Sequence, residues 1–488
     1  MQDTINTAQE SKERPKRRLR AYQRDVFYST LKRKHNALFL DMRLGKTLIT
    51  IRSLSTKIVD IQNVLIVAPF SAFPAWNDEL LHEHYTEEEI VFLTGAKEKR
   101  RKKLHDARTS HKVKWYILNI EGWRAVPEIA HIEWQAVVAD ESYFLQSPPH
   151  VSKKTKAICT SKFFTTNFRN VPHKYILTGT PAPESELNYF MQLLFLDKNI
   201  LMEDNYWRFR TKHFIQYAPN EYAISEKGKM FLTSRLATCA TFLSRKDVNL
   251  GGEKIYETRA IELDKATRII YDTIWNKFVV KVNDDIRDVT DIGGVRFQWA
   301  RRLLGGYVTK PNYGYEENQE FDYIFRGKMI ELNSLLTGEL SGQQVIIWAD
   351  YTKEIDLISQ YLWTSKKKGA YIDGRVKPEM RDEHERAFRA KDLQYLVCQP
   401  QASQYSRDFS SADVEIFYSS PLALKTRLQA EDRLVSSKTN GVLVIDLVCP
   451  NTIEEDIVES LRKKESRQAM IKRIVQRLTK ENYAKSTH

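Results

Sequence analysis

The sequence predicts an α/β protein of two tandem parallel-sheet lobes with helical insertions between them. Three observations carry this expectation. Short apolar runs recur in both halves of the chain, each ending in polar residues and leading into a helical stretch. The runs fall into two sets, separated by a tract of helical character from about 185 to 325. The first run also opens a strand, loop and helix whose loop ends in Gly-Lys-Thr. Buried strands alternating with helices argue for parallel sheets, and ligands of such sheets sit beyond the carboxyl ends of the strands.

Taken in order, residues 1–18 form a basic lead-in, without the apolar core of a signal peptide. The first lobe spans 19–250, with its helical insertion from about 185. It begins with the run at 37–40 and continues with NVLIVAP (63–69), KWYILNI (114–120), QAVVAD (135–140) and HKYILTGT (173–180). The insertion carries stretches such as SELNYFMQLLFL and ATRIIYDTIWNKFVVKV, broken by a glycine-rich turn at Gly293-Gly294. The second lobe completes 251–465, with strands expected in QQVIIWA (343–349), GAYIDG (369–374), LQYLVCQP (393–400), VEIFYSS (414–420) and GVLVIDLV (441–448). A basic helix is expected over 466–488.

The 488 residues are 42% hydrophobic and 28% charged, the composition of a soluble globular chain, and no uninterrupted apolar window predicts a transmembrane helix. Cys159, Cys239, Cys398 and Cys449 lie far apart, without metal-type spacing, and suit buried packing in a reducing cytosol. Lys and Arg total 76 against 63 acidic residues, a formal charge of +13. The excess gathers in KERPKRRLR (12–20), KEKRRKK (97–103), KKK (366–368) and the C-terminal tail. Such clusters suit a polyanion and point to nucleic acid, although basic runs are also common on solvated surfaces.

Two segments carry chemistry. In NALFLDMRLGKTLITIRSL (36–54), the loop and helix N-terminus would turn backbone N–H groups toward phosphates, Lys46 would reach the outer phosphates and Thr47 would ligate magnesium. In AVVADESYF, Asp140 would hold magnesium, and Glu141 would orient and deprotonate the attacking water. An ordinary strand-turn-helix with a surface lysine, and a plain acidic strand end, are the bland alternatives.

With these pieces in order, the chain from about 19 to 465 resembles a superfamily-2 helicase, specifically a compact Swi/Snf-type ATPase. LRAYQRDVF resembles the family's opening motif, which implies Gln23 at the adenine edge. DMRLGKT resembles its phosphate loop, implying nucleotide contacts from Leu44, Gly45, Lys46 and Thr47. VLIVAP followed by Trp76 resembles a motif that touches nucleic-acid backbone, and DESY stands where the family has Asp-Glu-x-His. LTGTP (177–181), with Thr178 and Thr180, resembles the segment that couples the ATP site to the DNA track. QVIIWADYTKEIDLISQYL and IDGRVKPEMRDEHERAF are similar to the start of the second lobe. SRDFSSA (406–412), with Asp408, and QAEDR (429–433), with Gln429 and Arg433, resemble the segments that close on ATP.

The resemblance implies two RecA-like lobes, ATP and Mg2+, and an ATP-dependent motor tracking on duplex DNA without processive strand separation. Alternatives are a catalytically weakened, ATP-gated or structural DNA-binding module, an RNA helicase, or a motor for a separate nuclease or replication protein. DNA is the expected partner, with a replication, recombination or nuclease protein beside it and no membrane. No histone-reading or zinc module is visible, so the cytoplasm of a bacterial or phage-infected cell is the expected setting.

The chain departs from the family pattern at several positions. Arg43 stands in place of a glycine, where a negative φ would accommodate it or its guanidinium would help bind DNA or phosphate, and Tyr143 and Gln146 replace a histidine and a lysine. Ser406 replaces another glycine. Ser436 stands where a second closing arginine belongs, with Lys438 the nearest cation to substitute.

Overall fold

Each apolar run becomes a strand, and the strands pair in parallel. The computed structural model describes residues 16–149, 158–182, 185–218, 221–250, 254–284, 292–309, 321–402, 409–434 and 441–463. The chain divides into two compact units, Met1–Val248 and Asn249–His488.

The first unit opens with α1 (Ala21–Leu31), β1 (Asn36–Leu40), α2 (Lys46–Lys57) and β2 (Val64–Ala68). It continues through α3 (Phe73–His82), β3 (Ile90–Phe92), α4 (Lys97–Ser110), β4 (Trp115–Asn119), β5 (Ala136–Asp140), α5 (Thr160–Asn167) and β6 (His173–Leu177). After these come α6 (Tyr189–Leu196), α7 (Lys198–Leu201), α8 (Tyr206–His213), the antiparallel hairpin β7 (Phe214–Ala218) and β8 (Glu221–Ile224), α9 (Glu226–Cys239) and β9 (Ala240–Leu243). The sheet runs β3-β4-β2-β5-β6-β1-β9, parallel throughout. Its central strands are buried along their whole length, which is why they read as unbroken apolar runs rather than alternating ones.

The tract from 185 onward is not wholly helical. It contains β7, β8 and β9, and β9 joins the sheet beside β1, with Ala37 opposite Ala240 and Leu40 opposite Leu243. A four-residue strand following directly on a helix is too short for either periodicity to stand out.

The second unit holds β10 (Lys254–Ala260), α10 (Lys265–Asp284), α11 (Ile292–Leu304), β11 (Tyr307–Thr309), β12 (Phe321–Tyr323) and α12 (Gly327–Thr337). Its remaining elements are β13 (Val345–Trp348), α13 (Thr352–Thr364), β14 (Gly369–Ile372), α14 (Pro378–Arg389), β15 (Tyr395–Cys398), β16 (Val414–Phe417), α15 (Leu424–Glu431), β17 (Val442–Val448) and α16 (Ile453–Arg462). Six strands form a parallel sheet in the order β10-β17-β16-β13-β15-β14. β10 lies in the tract read as helical. It is an edge strand with Ile255 and Tyr256 exposed, so no buried run announces it. Gly293 and Gly294, expected in a turn, fall inside the first turn of α11.

A buried ionic cluster holds α15 to its sheet. Arg427 donates from Nη1 to Asp446 Oδ1 at 2.6 Å and from Nε to Glu431 Oε1 at 2.6 Å. Glu431 also accepts from Lys254 Nζ at 2.9 Å and from the Tyr256 hydroxyl at 2.8 Å, while Arg462 reaches Asp446 Oδ2 at 3.1 Å. Helix α15, strands β10 and β17 and helix α16 are joined in this way. Charges this deeply buried are tolerated only because each is paired. All four cysteines are buried and free, as their spacing predicts.

Burial by itself would raise the Glu431 pKa, but Arg427 and Lys254 outweigh it and hold the group at about 2. With the folded value below the ordinary one, its stabilising contribution is complete above the ordinary glutamate pKa and is lost as pH falls toward the folded value. Glu431→Gln is expected to cost about 3 kcal/mol at neutral pH, because it unbalances a buried ion cluster. That gap between wild type and variant should close as pH falls from the ordinary glutamate range toward 2, measured by urea unfolding at stepped pH.

Candidate nucleotide-binding site

The loop between β1 and α2 is set by two left-handed residues, Arg43 at φ 65 and Gly45 at φ 85. At Gly45 a Cβ would fall 2.2 Å from Gln23 Nε2, so a side chain there would be strained and would displace the buried Gln23 amide. Arg43 does not hold the negative φ under which an arginine was expected to be accommodated there. It adopts the glycine-like conformation directly, at a strain of about 1–2 kcal/mol, with its side chain exposed.

Gln23 is buried and ties α1 to this loop, donating from Nε2 to Leu44 O at 3.2 Å and accepting from Arg20 N at 2.9 Å. Lys46 begins α2, and its ammonium is held by the carbonyls of Leu40 at 2.8 Å and Asp41 at 3.2 Å. Thr47, next on the helix, is half-buried. Arg245, just past β9, clamps the loop. Its backbone N–H donates to Asp41 Oδ2 at 2.9 Å, and its guanidinium donates to Met42 O at 2.8 and 3.1 Å. Sequence reasoning passed over Arg245 because it lies some two hundred residues from the loop it braces.

Asp140 ends β5, two strands from β1, with β6 between. It is 8% exposed, and its pKa is pushed up to about 6, chiefly by burial and then by the Glu141 charge, with the Trp76 N–H and Lys46 opposing. Lys46 and Asp140 therefore act on one another electrostatically. Trp76 was expected in a motif touching nucleic-acid backbone. It is instead fully buried, donating from its indole N–H to Asp140 Oδ2 at 2.8 Å. Glu141 follows at φ 50, a left-handed conformation unusual for glutamate, and is half-buried.

The turn that carries Glu141 is linked to the LTGTP loop. Gln146 Nε2 donates to Thr180 O at 3.1 Å and to Pro181 O at 2.9 Å. Ser142 Oγ meets Gln192 Oε1 at 2.7 Å, and Gln192 Nε2 donates to Pro181 O at 2.7 Å. Thr178 is fully buried; its N–H reaches Leu38 O at 3.2 Å, and its hydroxyl accepts from Thr180 N at 3.1 Å. Gln146 thus makes a physical link at a position where the family pattern has lysine.

In the second unit, Gln429 lies on α15 and Arg433 in the turn after it, 8% and 3% exposed. The Arg433 carbonyl accepts from Phe409 N at 3.1 Å. Asp408, Ser406, Ser436 and Lys438 lie outside the described residues, as does the basic segment 466–488. A further cluster escaped sequence reasoning. Arg301, from α11, donates to Asp350 Oδ2 at 2.9 Å and to Ser420 O at 2.6 Å, beyond the carboxyl ends of β13 and β16. KEKRRKK forms the start of α4, with Lys97, Lys99, Arg101 and Lys102 exposed, while Arg100 and Lys103 bond back to Asn119 and Phe92.

The donor set suits magnesium and a nucleotide. One buried carboxylate and one hydroxyl are hard oxygen ligands, and magnesium takes few protein ligands alongside phosphate. Helix α2 starts at Lys46 with Gly45 as its N-cap and no side-chain cap, the kind of helix end that binds phosphate. Among the described residues there is no cluster of three or more His, Cys, Asp or Glu side chains, and no helix long and apolar enough to cross a membrane.

Both halves of the chain resemble known proteins. The SNF2-related domain model matches residues 22–294, and the helicase conserved C-terminal domain model matches 327–438. The human chromodomain-helicase-DNA-binding protein 1 is 23% identical over 87% of this chain and 25% of its own length. The Saccharomyces cerevisiae transcription regulatory protein SNF2 is 24% identical over 87% of this chain and 26% of its own. The Drosophila melanogaster chromatin-remodeling ATPase INO80 is 32% identical over 34% of this chain and 10% of its own. The chain therefore spans about a quarter or less of these curated relatives. A Sulfolobus solfataricus SWI2/SNF2 ATPase core, solved with double-stranded DNA, aligns over 95% of this chain and 94% of that one, at 20% identity and a TM-score of 0.41. One family model that runs from the helix of Gln23 through the acidic turn to residue 294, more than half of the 488 residues, makes this protein a member of the SNF2-related family, within the superfamily-2 ATPases.

Proposed function

We propose that this chain is an ATP-driven motor that tracks along duplex DNA without processively separating its strands. One observation carries the reading. A glycine-cradled loop bearing Lys46 and a buried carboxylate, Asp140, meet at the carboxyl end of one parallel sheet, and the lysine's charge favours the ionised acid.

The backbone at the start of α2 binds the phosphates of ATP, and Lys46 balances charge on the outer ones. Thr47 and Asp140 would hold Mg2+, which neutralises charge on phosphoryl oxygens when bound. Trp76 orients Asp140, and Glu141 orients and deprotonates the attacking water. Gln23, Leu44 and Gly45 shape the nucleotide side of the loop. By resemblance to the family, Asp408, Gln429 and Arg433 close on the nucleotide, Arg433 bringing positive charge to the transferring phosphoryl group.

The formal charge of +13, the exposed lysines and arginine of α4, and relatives named as DNA-binding helicases support duplex DNA as the track. A replication, recombination or nuclease protein as partner, in a bacterial or phage-infected cytoplasm, belongs to the same proposal. A second reading, a weakened DNA-binding module, is favoured by the serine at position 436, because serine cannot replace a reaching guanidinium.

ATP turnover measured in parallel with no nucleic acid, duplex DNA, single-stranded DNA and RNA is expected to be highest with duplex. Equal turnover in all four would overturn the motor reading, and turnover no greater than that of Lys46→Ala would favour the weakened module. Lys46→Ala itself should lower turnover at least about a hundredfold, since it removes charge compensation in the transition state. Trp76→Phe keeps an aromatic ring but loses the indole N–H, and should raise the Mg2+ concentration for half-maximal turnover about tenfold. Displacement of a third strand from a triplex is expected while a forked duplex stays paired, and DNA affinity should fall steeply with salt. Efficient unwinding of the fork would sink the tracking reading.

A further inference from the structure

Two glutamine amides converge on one backbone carbonyl between the acidic turn and the loop at 178–181. Pro181 O accepts from Gln146 Nε2 at 2.9 Å and from Gln192 Nε2 at 2.7 Å. Gln192 is fully buried, and its Oε1 meets the hydroxyl of Ser142, the residue after Glu141, also fully buried. Gln146 adds Thr180 O at 3.1 Å, and its own N–H donates to Tyr143 O at 3.0 Å. Tyr143 N in turn donates to Glu141 O at 2.7 Å. The Glu141 turn is therefore hung at both ends from one short piece of backbone.

That backbone also touches the phosphate-loop strand. Thr178 N bonds to Leu38 O at 3.2 Å, and a Cβ placed on Gly179 would lie 3.5 Å from Leu40 O, the carbonyl that holds Lys46. A displacement of 178–181 must act on the Glu141 turn through the two amides, and it lies against the carbonyl that holds the Lys46 ammonium. The sequence marks Gln146 only as a glutamine in place of a lysine, and Gln192, some fifty residues on, reads as an ordinary polar position.

We propose that Gln146 and Gln192 are positioning residues, which hold Glu141 in register with the phosphate loop and make hydrolysis follow the position of the loop at 178–181. This rests on the ATPase reading above. The link demands donors, since both of its targets on the loop are carbonyls. A carboxylate at either position has no proton to give and repels them. A lysine at 146 can still donate to both.

Gln146 is only partly buried, so charged variants there are compatible with folding. Gln146→Glu is expected to lower DNA-stimulated kcat about tenfold, the scale of one lost hydrogen bond in a transition-state geometry, with KM for ATP unchanged. Gln146→Lys should keep wild-type turnover. Amide hydrogen exchange should rise together in 141–147 and 178–182 for Gln146→Glu, and for Gln192→Glu if that variant folds, while β4 stays protected. Gln146→Lys behaving like Gln146→Glu, a change in KM rather than kcat, or faster exchange in only one of the two segments would overturn the proposal. A wild-type chain without turnover would instead remove the ATPase reading, and the paired exchange response would then decide the link by itself.

Discussion

β6 pairs with β5 on one side and with β1 on the other, with Leu177 opposite Asp140 and opposite Leu38. In a parallel sheet the three strands end on the same side, so this register puts the loops that follow them in reach of one another. The phosphate loop leaves β1, the acidic turn leaves β5, and the backbone at 178–181 leaves β6 between them. Lys46 and Asp140 influence one another because of that order. A slip of one residue in either ladder would turn the strands' side chains to the opposite face and break the arrangement.

Two buried carboxylates, Asp140 and Glu431, are held in opposite ways. Asp140 is pushed up to about 6, because burial and Glu141 outweigh the tryptophan N–H and the lysine. A carboxylate in that condition gains from any cation placed beside it, as a metal ligand should. Glu431 is equally enclosed but held at about 2, because Arg427 and Lys254 contact it directly. Its role is architectural: it fixes the helix from which Gln429 and the turn bearing Arg433 project. Burial alone thus does not mark a functional acid; the partners already in contact with it do.

Two of the residues with left-handed backbone lie in the loops of the candidate site. Arg43 and Glu141 both hold left-handed conformations that glycine would adopt freely, one in the phosphate loop and one in the acidic turn. Such residues persist only where the surroundings over-determine them. The Arg245 clamp does this for the first, and the hydrogen bonds among Glu141, Tyr143 and Gln146 do it for the second. Strain and bracing thus occur together in each of these two loops.

The α/β class, the strands and the positions of the glycine-lysine-threonine loop and Asp-Glu pair were legible in the sequence. A strand buried on both faces must be apolar throughout, and a phosphate loop needs its glycine and lysine at fixed spacing. Strands that break those conditions were not legible: β10 is an exposed edge, and β9 follows directly on α9 and is only partly buried. Trp76, Arg245, Gln146 and Gln192 act on other loops through hydrogen bonds that leave no periodicity behind. Arg43 could be recognised as a departure, but its sign of φ could not, because the tertiary clamp on the loop decides that. Local sequence determined which elements form, since propensity and burial pattern are local properties. Which side chains steady the candidate catalytic turn was decided only by the register of β6 between its neighbours, a contact between segments that no local pattern encodes.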